Sequence, residues 1–177
     1  MPKIKCAREY LEEWEIGKII SYLHRESDKV LFEFVYDTGA RISEVLAVRP
    51  KDIDFNDGIV TLPALKRKEL EFKLVTLSAP MLDRLRKFCN GKPKDKRLFP
   101  ISRQQAYVRL KMASLDAGIE VYPHLLRDSF ATNWAKKGGD LVRLQRQLGH
   151  KRLSTTTDRY LKYSTADIKD ERERIGI

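Results

Sequence analysis

Between Leu11 and Leu23 the apolar residues Leu11, Trp14, Ile16, Ile19, Ile20 and Leu23 recur near helical spacing, with Glu12, Glu13, Lys18 and Ser21 elsewhere around the wheel. This pattern predicts an amphipathic helix. A second helix is expected from Lys29 to about Asp37, capped by Asp28 and ended by Thr38 and Gly39, and Leu31, Phe32, Phe34, Val35 and Tyr36 mark it as a core element. Ile42, Val45, Leu46 and Val48 continue a helical stripe up to Arg49 and Pro50, and Asp52 to Gly58 reads as a polar turn region. The periodicity then changes. Ile59 to Leu65 and Leu70 to Leu77 are β-prone runs joined by Lys66, Arg67, Lys68 and Glu69, which predicts a hairpin with a basic tip. Pro63 inside the first run calls for an edge position or a bulge. Further on, Ser78 caps a helix carrying Met81, Leu82, Leu85, Phe88 and Cys89. Ser102 with Gln105 forms a capping box that opens a helix running to Gly118. Tyr122-Pro123 starts another, His124 to Lys137, and Asp140 caps Leu141 to Leu148, which Gly149 ends. The fold class is therefore mainly α with one small antiparallel β-sheet, an α+β domain.

Composition narrows the class. The 177 residues are 42% hydrophobic and 34% charged, too apolar for a disordered chain and too interrupted by charge for a membrane span. The first 25 residues carry Lys3, Lys5, Arg8, Glu12, Glu13 and Glu15 where a signal peptide needs an apolar stretch. Cys6 and Cys89 are the two cysteines and read as reduced thiols, Cys89 on a helix face. Lys and Arg total 35 against 25 Asp and Glu, and the resulting formal charge of +10 favours an anionic partner, with nucleic acid ahead of a ribosomal or membrane surface.

Sorting by chemistry removes most enzyme classes. The chain has no phosphate-cradling glycine loop, no metalloprotease His pair and no carboxylate cluster suited to two metals. Cationic and imidazole groups instead gather at helix starts and turns: Arg41 after Thr38-Gly39-Ala40, His124 and Arg127 at a helix start, His150 after a helix stop, and Tyr160 beyond it. Such a set suits a phosphate. The segments Thr38-Gly39-Ala40-Arg41-Ile42-Ser43-Glu44, His124-Leu125-Leu126-Arg127 and Leu148-Gly149-His150, followed by Tyr160, resemble the catalytic signature of the tyrosine recombinases, the phage integrase family. The likeness extends over nearly the whole chain, with the basic hairpin correctly placed between the first two segments.

The resemblance implies site-specific DNA strand exchange without metal or nucleotide cofactor. Tyr160 would attack the scissile phosphodiester to give a 3′-phosphotyrosyl bond, and the freed 5′-hydroxyl would later attack the partner strand. The phosphorane-like transition state needs its extra charge stabilised, the phenol must lose a proton and the departing oxygen must gain one. Arg41 and Arg127 match the family's two arginines, whose planar forks bind phosphate oxygens while staying charged. Taken without the other motifs, Arg41 reads as the partner of a surface salt bridge to Glu44. Glu44 is expected to be an acceptor that orients neighbouring groups, because its charge would oppose a phosphate. His124, three residues before Arg127 and on the same helical face, suits proton transfer near neutral pH. His150 matches the family's second His or Trp position. For the general acid the hairpin leaves two candidates: counting forward from Gly58 selects Lys66, and counting back from Val75-Thr76-Leu77 selects Lys68, which is preferred. Lys66 and Arg67 are then DNA-backbone contacts. Tyr160 lies ten positions past His150, one more than is usual, with Tyr163 as competitor; Asp128 stands where many members have His.

The expected organisation is a single catalytic domain over 1–177, with its core at about 10–164 and a tail at 165–177 that docks on a neighbouring protomer. The family-like region starts by about Tyr10, so no N-terminal core-binding domain is expected. The expected partners are double-stranded DNA and further copies of the chain assembled on it, with no membrane, in a cytoplasmic protein that is nucleoid-associated in a prokaryotic host. A type IB topoisomerase, a non-catalytic DNA-binding relative and an RNA-binding scaffold are the alternatives.

Overall fold

The computed structural model describes residues 9–65, 70–149 and 176, with Ala64, Leu65, Leu70 and Glu71 described as backbone only. Its elements are α1 (Glu13–Ser21), α2 (Glu26–Thr38), α3 (Ile42–Val45), a 3-10 turn at Pro50–Asp52, β1 (Ile53–Asp54), β2 (Ile59–Leu65), β3 (Leu70–Thr76), α4 (Ala79–Cys89), α5 (Arg103–Ala117), α6 (Pro123–Lys136) and α7 (Leu141–Leu148). The mainly helical class with one antiparallel sheet is what the chain adopts.

α2 lies at the centre, because Val30, Leu31, Phe32, Phe34 and Val35 cover so much of its circumference that it must be packed on several sides. α1, α3, α4 and α6 surround it. Its start differs from the expected one: Arg25 is the N-cap, and Asp28 sits in the first turn, where its carboxylate accepts from Arg109 of α5 at 2.7 Å. The stop is as expected, with Gly39 in the left-handed conformation at φ 61°. A Cβ there would lie 2.4 Å from Phe130 Cδ1 and 2.8 Å from Leu148 Cδ2, so packing as well as backbone conformation requires glycine. The segment before α1 is held by α6, since Ser129 Oγ accepts from the Leu11 amide and Asn133 donates to the Leu11 carbonyl.

The sheet has the order β1-β2-β3, all antiparallel. The polar run from Asp52 to Gly58 predicts a turn, but within it Ile53 and Asp54 form β1 and pair with Val60 and Ile59, since buried Ile53 belongs to the core. Beyond Val60 no strand among the described residues lies on that side of β2, so Pro63 occupies an edge left open by them, and the register from Ile59↔Thr76 to Leu65↔Leu70 runs without a bulge. The caps at Ser78, Ser102 with Gln105, and Asp140 all form as the sequence predicts. Among the described residues no helix is long and apolar enough to cross a membrane.

α7 packs on the edge of β3 that no other described strand pairs with. The Gln147 carboxamide accepts from the Thr76 amide at 3.1 Å and donates to the Thr76 carbonyl at 2.9 Å, so one side chain supplies what a fourth strand would have supplied. Gln147→Ala should therefore cost about 1–3 kcal/mol, the penalty for stranding buried polar groups. Urea unfolding measures this as a lower midpoint at constant slope, and a loss below about 0.5 kcal/mol would show that water replaces the amide.

Candidate active site

Arg41 is the N-cap of α3, the residue at which the chain leaves the Gly39 turn. Glu44, at the third helical position, reaches back to it: Oε2 accepts from the Arg41 amide at 2.9 Å and Oε1 from Nη1 of its guanidinium at 2.9 Å. The Glu44 carboxylate is buried, whereas the Arg41 side chain is 52% exposed, so the guanidinium is held at its base and presented at the surface. The expected salt bridge and the expected orienting role of Glu44 are the same contact.

Arg127 is placed differently. It lies one turn into α6, is 1% exposed, and directs Nη1 to the Gly39 carbonyl at 2.5 Å and Nη2 to the Leu148 carbonyl at 3.0 Å. Gly39 ends α2 and Leu148 ends α7, so a buried cation sits against the negative ends of two helices. His124, three residues earlier at the start of α6, is 49% exposed, and its Nε2 lies 3.9 Å from Asp128 Oδ2, too far for a hydrogen bond.

The sequence pattern does not single out Lys73. It lies on the inner face of β3, opposite buried Leu62 and in phase with buried Val75. Its ammonium is 2.8 Å from Glu44 Oε2 and 3.4 Å from the Leu148 carbonyl, and its side chain is 11% exposed. Burial pushes the Lys73 ammonium below the ordinary lysine range, Glu44 opposes this, and the charges of Arg127 and Arg41 add to it. For Glu44 burial acts upward, yet the charge and hydrogen bond of Lys73, joined by the backbone and side-chain hydrogen bonds of Arg41, bring the carboxyl below its ordinary value. The signal missed in the sequence was the phase of β3: Lys73 shares a face with Val75, while Phe72 and Leu74 point outward at 66% and 67% exposure.

The structure thus gathers Arg41, Glu44, Lys73 and Arg127, with His124 on the same helix as Arg127. Lys66, Arg67, Lys68, His150, Tyr160 and Tyr163 lie outside the described residues. Among the described residues no group of three His, Cys, Asp or Glu side chains is disposed to hold a metal ion.

The phage integrase family model matches residues 9–166. The chain belongs to this family. Among its curated relatives, the tyrosine recombinase XerA of Saccharolobus solfataricus is 34% identical over 157 residues, which is 88% of this chain and 53% of that protein. XerA of Pyrococcus furiosus is 30% identical, covering 99% of this chain and 65% of its own length. The integrase-family chain therefore spans between about half and two thirds of these relatives. Solved structures with the same fold include a XerA recombinase, with TM-score 0.75 and 22% identity over 93% of this chain and 64% of that one. The catalytic domain of bacteriophage HP1 integrase matches with TM-score 0.71 and 24% identity over 93% of each chain. In this family member Arg41 and Arg127 thus sit on a tyrosine-recombinase catalytic fold, brought to one scaffold from α3 and α6.

The lowered Glu44 carboxyl has a defined consequence for stability. Its ionised form is favoured in the folded state, so its contribution is full above the ordinary carboxylate range and is lost as pH falls through the lowered value. Glu44→Gln should be less stable at neutral pH, because Lys73 is left without its anion, and should lose less on acidification. Thermal melts between about pH 7 and pH 3 compare the two, and equal acid slopes would contradict the pairing.

Proposed function

We propose that this chain cleaves and rejoins double-stranded DNA as the catalytic part of a site-specific recombinase or integrase, through a 3′-phosphotyrosyl intermediate. The observation that supports this best is the pair Arg41 and Arg127, one presented at the surface by Glu44 and the other fixed by two helix ends, in a member of the integrase family. Residues of about 10–164 would form the catalytic core, with the tail beyond them docking on another protomer assembled on the DNA. Proteins of the same fold include XerH bound to its difH substrate, which supports DNA as the partner.

In this reading the exposed Arg41 guanidinium binds non-bridging oxygens of the scissile phosphate, and Arg127, buried against the Gly39 and Leu148 carbonyls, adds its positive charge from within the scaffold. The Tyr160 oxygen forms a bond to phosphorus as the bond to the 5′-oxygen breaks. The phenolic proton passes to a base, for which His124 is the candidate, and the 5′-oxygen takes a proton from Lys68 or, failing that, Lys66. His150 donates to the phosphate, and Lys66 and Arg67 contact the DNA backbone. Rejoining is the same sequence reversed, with the incoming 5′-hydroxyl displacing tyrosine. Phosphoester energy is retained throughout, so the scheme needs neither metal nor nucleotide.

The first test traps the intermediate. On labelled, nicked DNA the wild-type chain should give an SDS-resistant adduct that Tyr160→Phe abolishes while DNA binding persists, and Arg41→Ala should slow its formation by about 10²-fold or more. An adduct that survives in Tyr160→Phe would reassign the nucleophile to Tyr163, and bound DNA with no adduct would leave a DNA-binding relative. DNA affinity measured between about 50 and 300 mM salt should fall steeply, as phosphate contacts require, and a flat response would argue against backbone recognition.

A further inference from the structure

Lys73 is linked to both arginines by shared acceptors. Its ammonium and the Arg41 guanidinium hold the same Glu44 carboxylate. Its ammonium and Arg127 Nη2 approach the same Leu148 carbonyl. The stem of the side chain passes beneath Gly149, where a Cβ would lie 3.1 Å from Lys73 Cδ, and Gly149 adopts φ 69° at the end of α7. One lysine of β3 therefore touches the turn after Arg41, the carbonyl that holds Arg127, and the glycine after which the chain runs on to His150 and Tyr160.

Two simpler roles are open to a lysine here. An inward-pointing charge on an edge strand deters pairing with another chain, but the free edge of β3 is already occupied at Thr76 by Gln147. A proton donor to the departing oxygen must approach the DNA, whereas the Lys73 ammonium is enclosed and committed to Glu44 at 2.8 Å. We propose that Lys73 is a positioning residue: by bridging Glu44 and the Leu148 carbonyl it sets the separation of Arg41 and Arg127 and docks the end of α7 against them. This rests on the recombinase reading for its consequence in catalysis, and on the geometry alone for its effect on the arginines.

The test uses the whole chain as Lys73→Met, which keeps the length of the stem without its charge, and Lys73→Arg, which keeps the charge. Single-turnover cleavage is followed at saturating DNA on substrates with oxygen or sulfur at the 5′-bridging position. Lys73→Met should be slowed at least about tenfold, and equally on both substrates, because misplaced guanidiniums are not mended by a better leaving group. Its DNA affinity should stay within about twofold of wild type, and Lys73→Arg should recover most of the rate. Full rescue by sulfur would make Lys73 the proton donor and overturn the proposal, as would wild-type cleavage by Lys73→Met. A second readout needs no activity: the side-chain Nε–H NMR signals of Arg41 and Arg127 should both shift or broaden in Lys73→Met and return in Lys73→Arg. Unchanged signals would also overturn it. Should Lys73→Met fail to fold, the double variant Lys73→Met with Glu44→Gln, compared with Glu44→Gln alone, takes its place in both measurements. A wild-type chain that binds DNA without forming an adduct would defeat the recombinase reading, and the arginine signals would still decide the role of Lys73.

Discussion

A carboxylate taken out of water is tolerated only where cations and hydrogen bonds replace its hydration, and Glu44 is such a carboxylate. It receives the Arg41 amide, the Arg41 guanidinium and the Lys73 ammonium. These contacts fix more than a charge balance. The first makes α3 begin at Arg41, the second aims the guanidinium outward, and the third ties β3 to α3 across the inner face of the sheet. Removing either cation would leave the other to carry a buried anion alone, so the three groups stand or fall together.

The second cation of the site needs no carboxylate to explain its place. A helix ends with carbonyls that have no partner inside it, and α2 and α7 both end at glycines in the left-handed conformation. These two endings converge on Arg127, which satisfies the Gly39 and Leu148 carbonyls and meets the partial negative charge of both dipoles. Gly39 thus serves twice. It turns the chain from α2 towards Arg41 without a Cβ that would strike Phe130, and it offers its carbonyl to the other arginine.

Local chemistry made much of this legible. Ser78, Ser102 with Gln105, Asp140, Gly39, Gly118 and Gly149 each place an element boundary through a bond or a backbone conformation that depends on near neighbours in sequence. Glu44 was readable as an orienting acceptor for the same reason, since its partner Arg41 is three residues away. Contacts that span the chain left no such trace. Asp28 looked like a cap because its partner Arg109 is 81 residues distant, and Gln147 looked like an ordinary helix residue although it closes a strand edge. Lys73 was hidden by the alternation rule itself. Phe72 and Leu74 would be buried by pattern alone, yet β3 takes the opposite phase because Val75 fills the core and Glu44 awaits a cation.

Charge at the site bears on what it can stabilise. Arg41, Lys73 and Arg127 against Glu44 leave two formal positive charges among these four residues. A phosphodiester in its ground state carries one negative charge, and in the proposed reaction its five-coordinate transition state carries about two. A scaffold with this excess gains more from the transition state than from the bound substrate, which is the condition for acceleration rather than mere binding. The excess also explains why the cations need rigid holders. Three like charges brought together repel, and without the Glu44 carboxylate and the two helix ends they would separate into solvent. The fold supplies those holders before any phosphate arrives, so the cost of assembling the charges falls on folding and not on the chemical step.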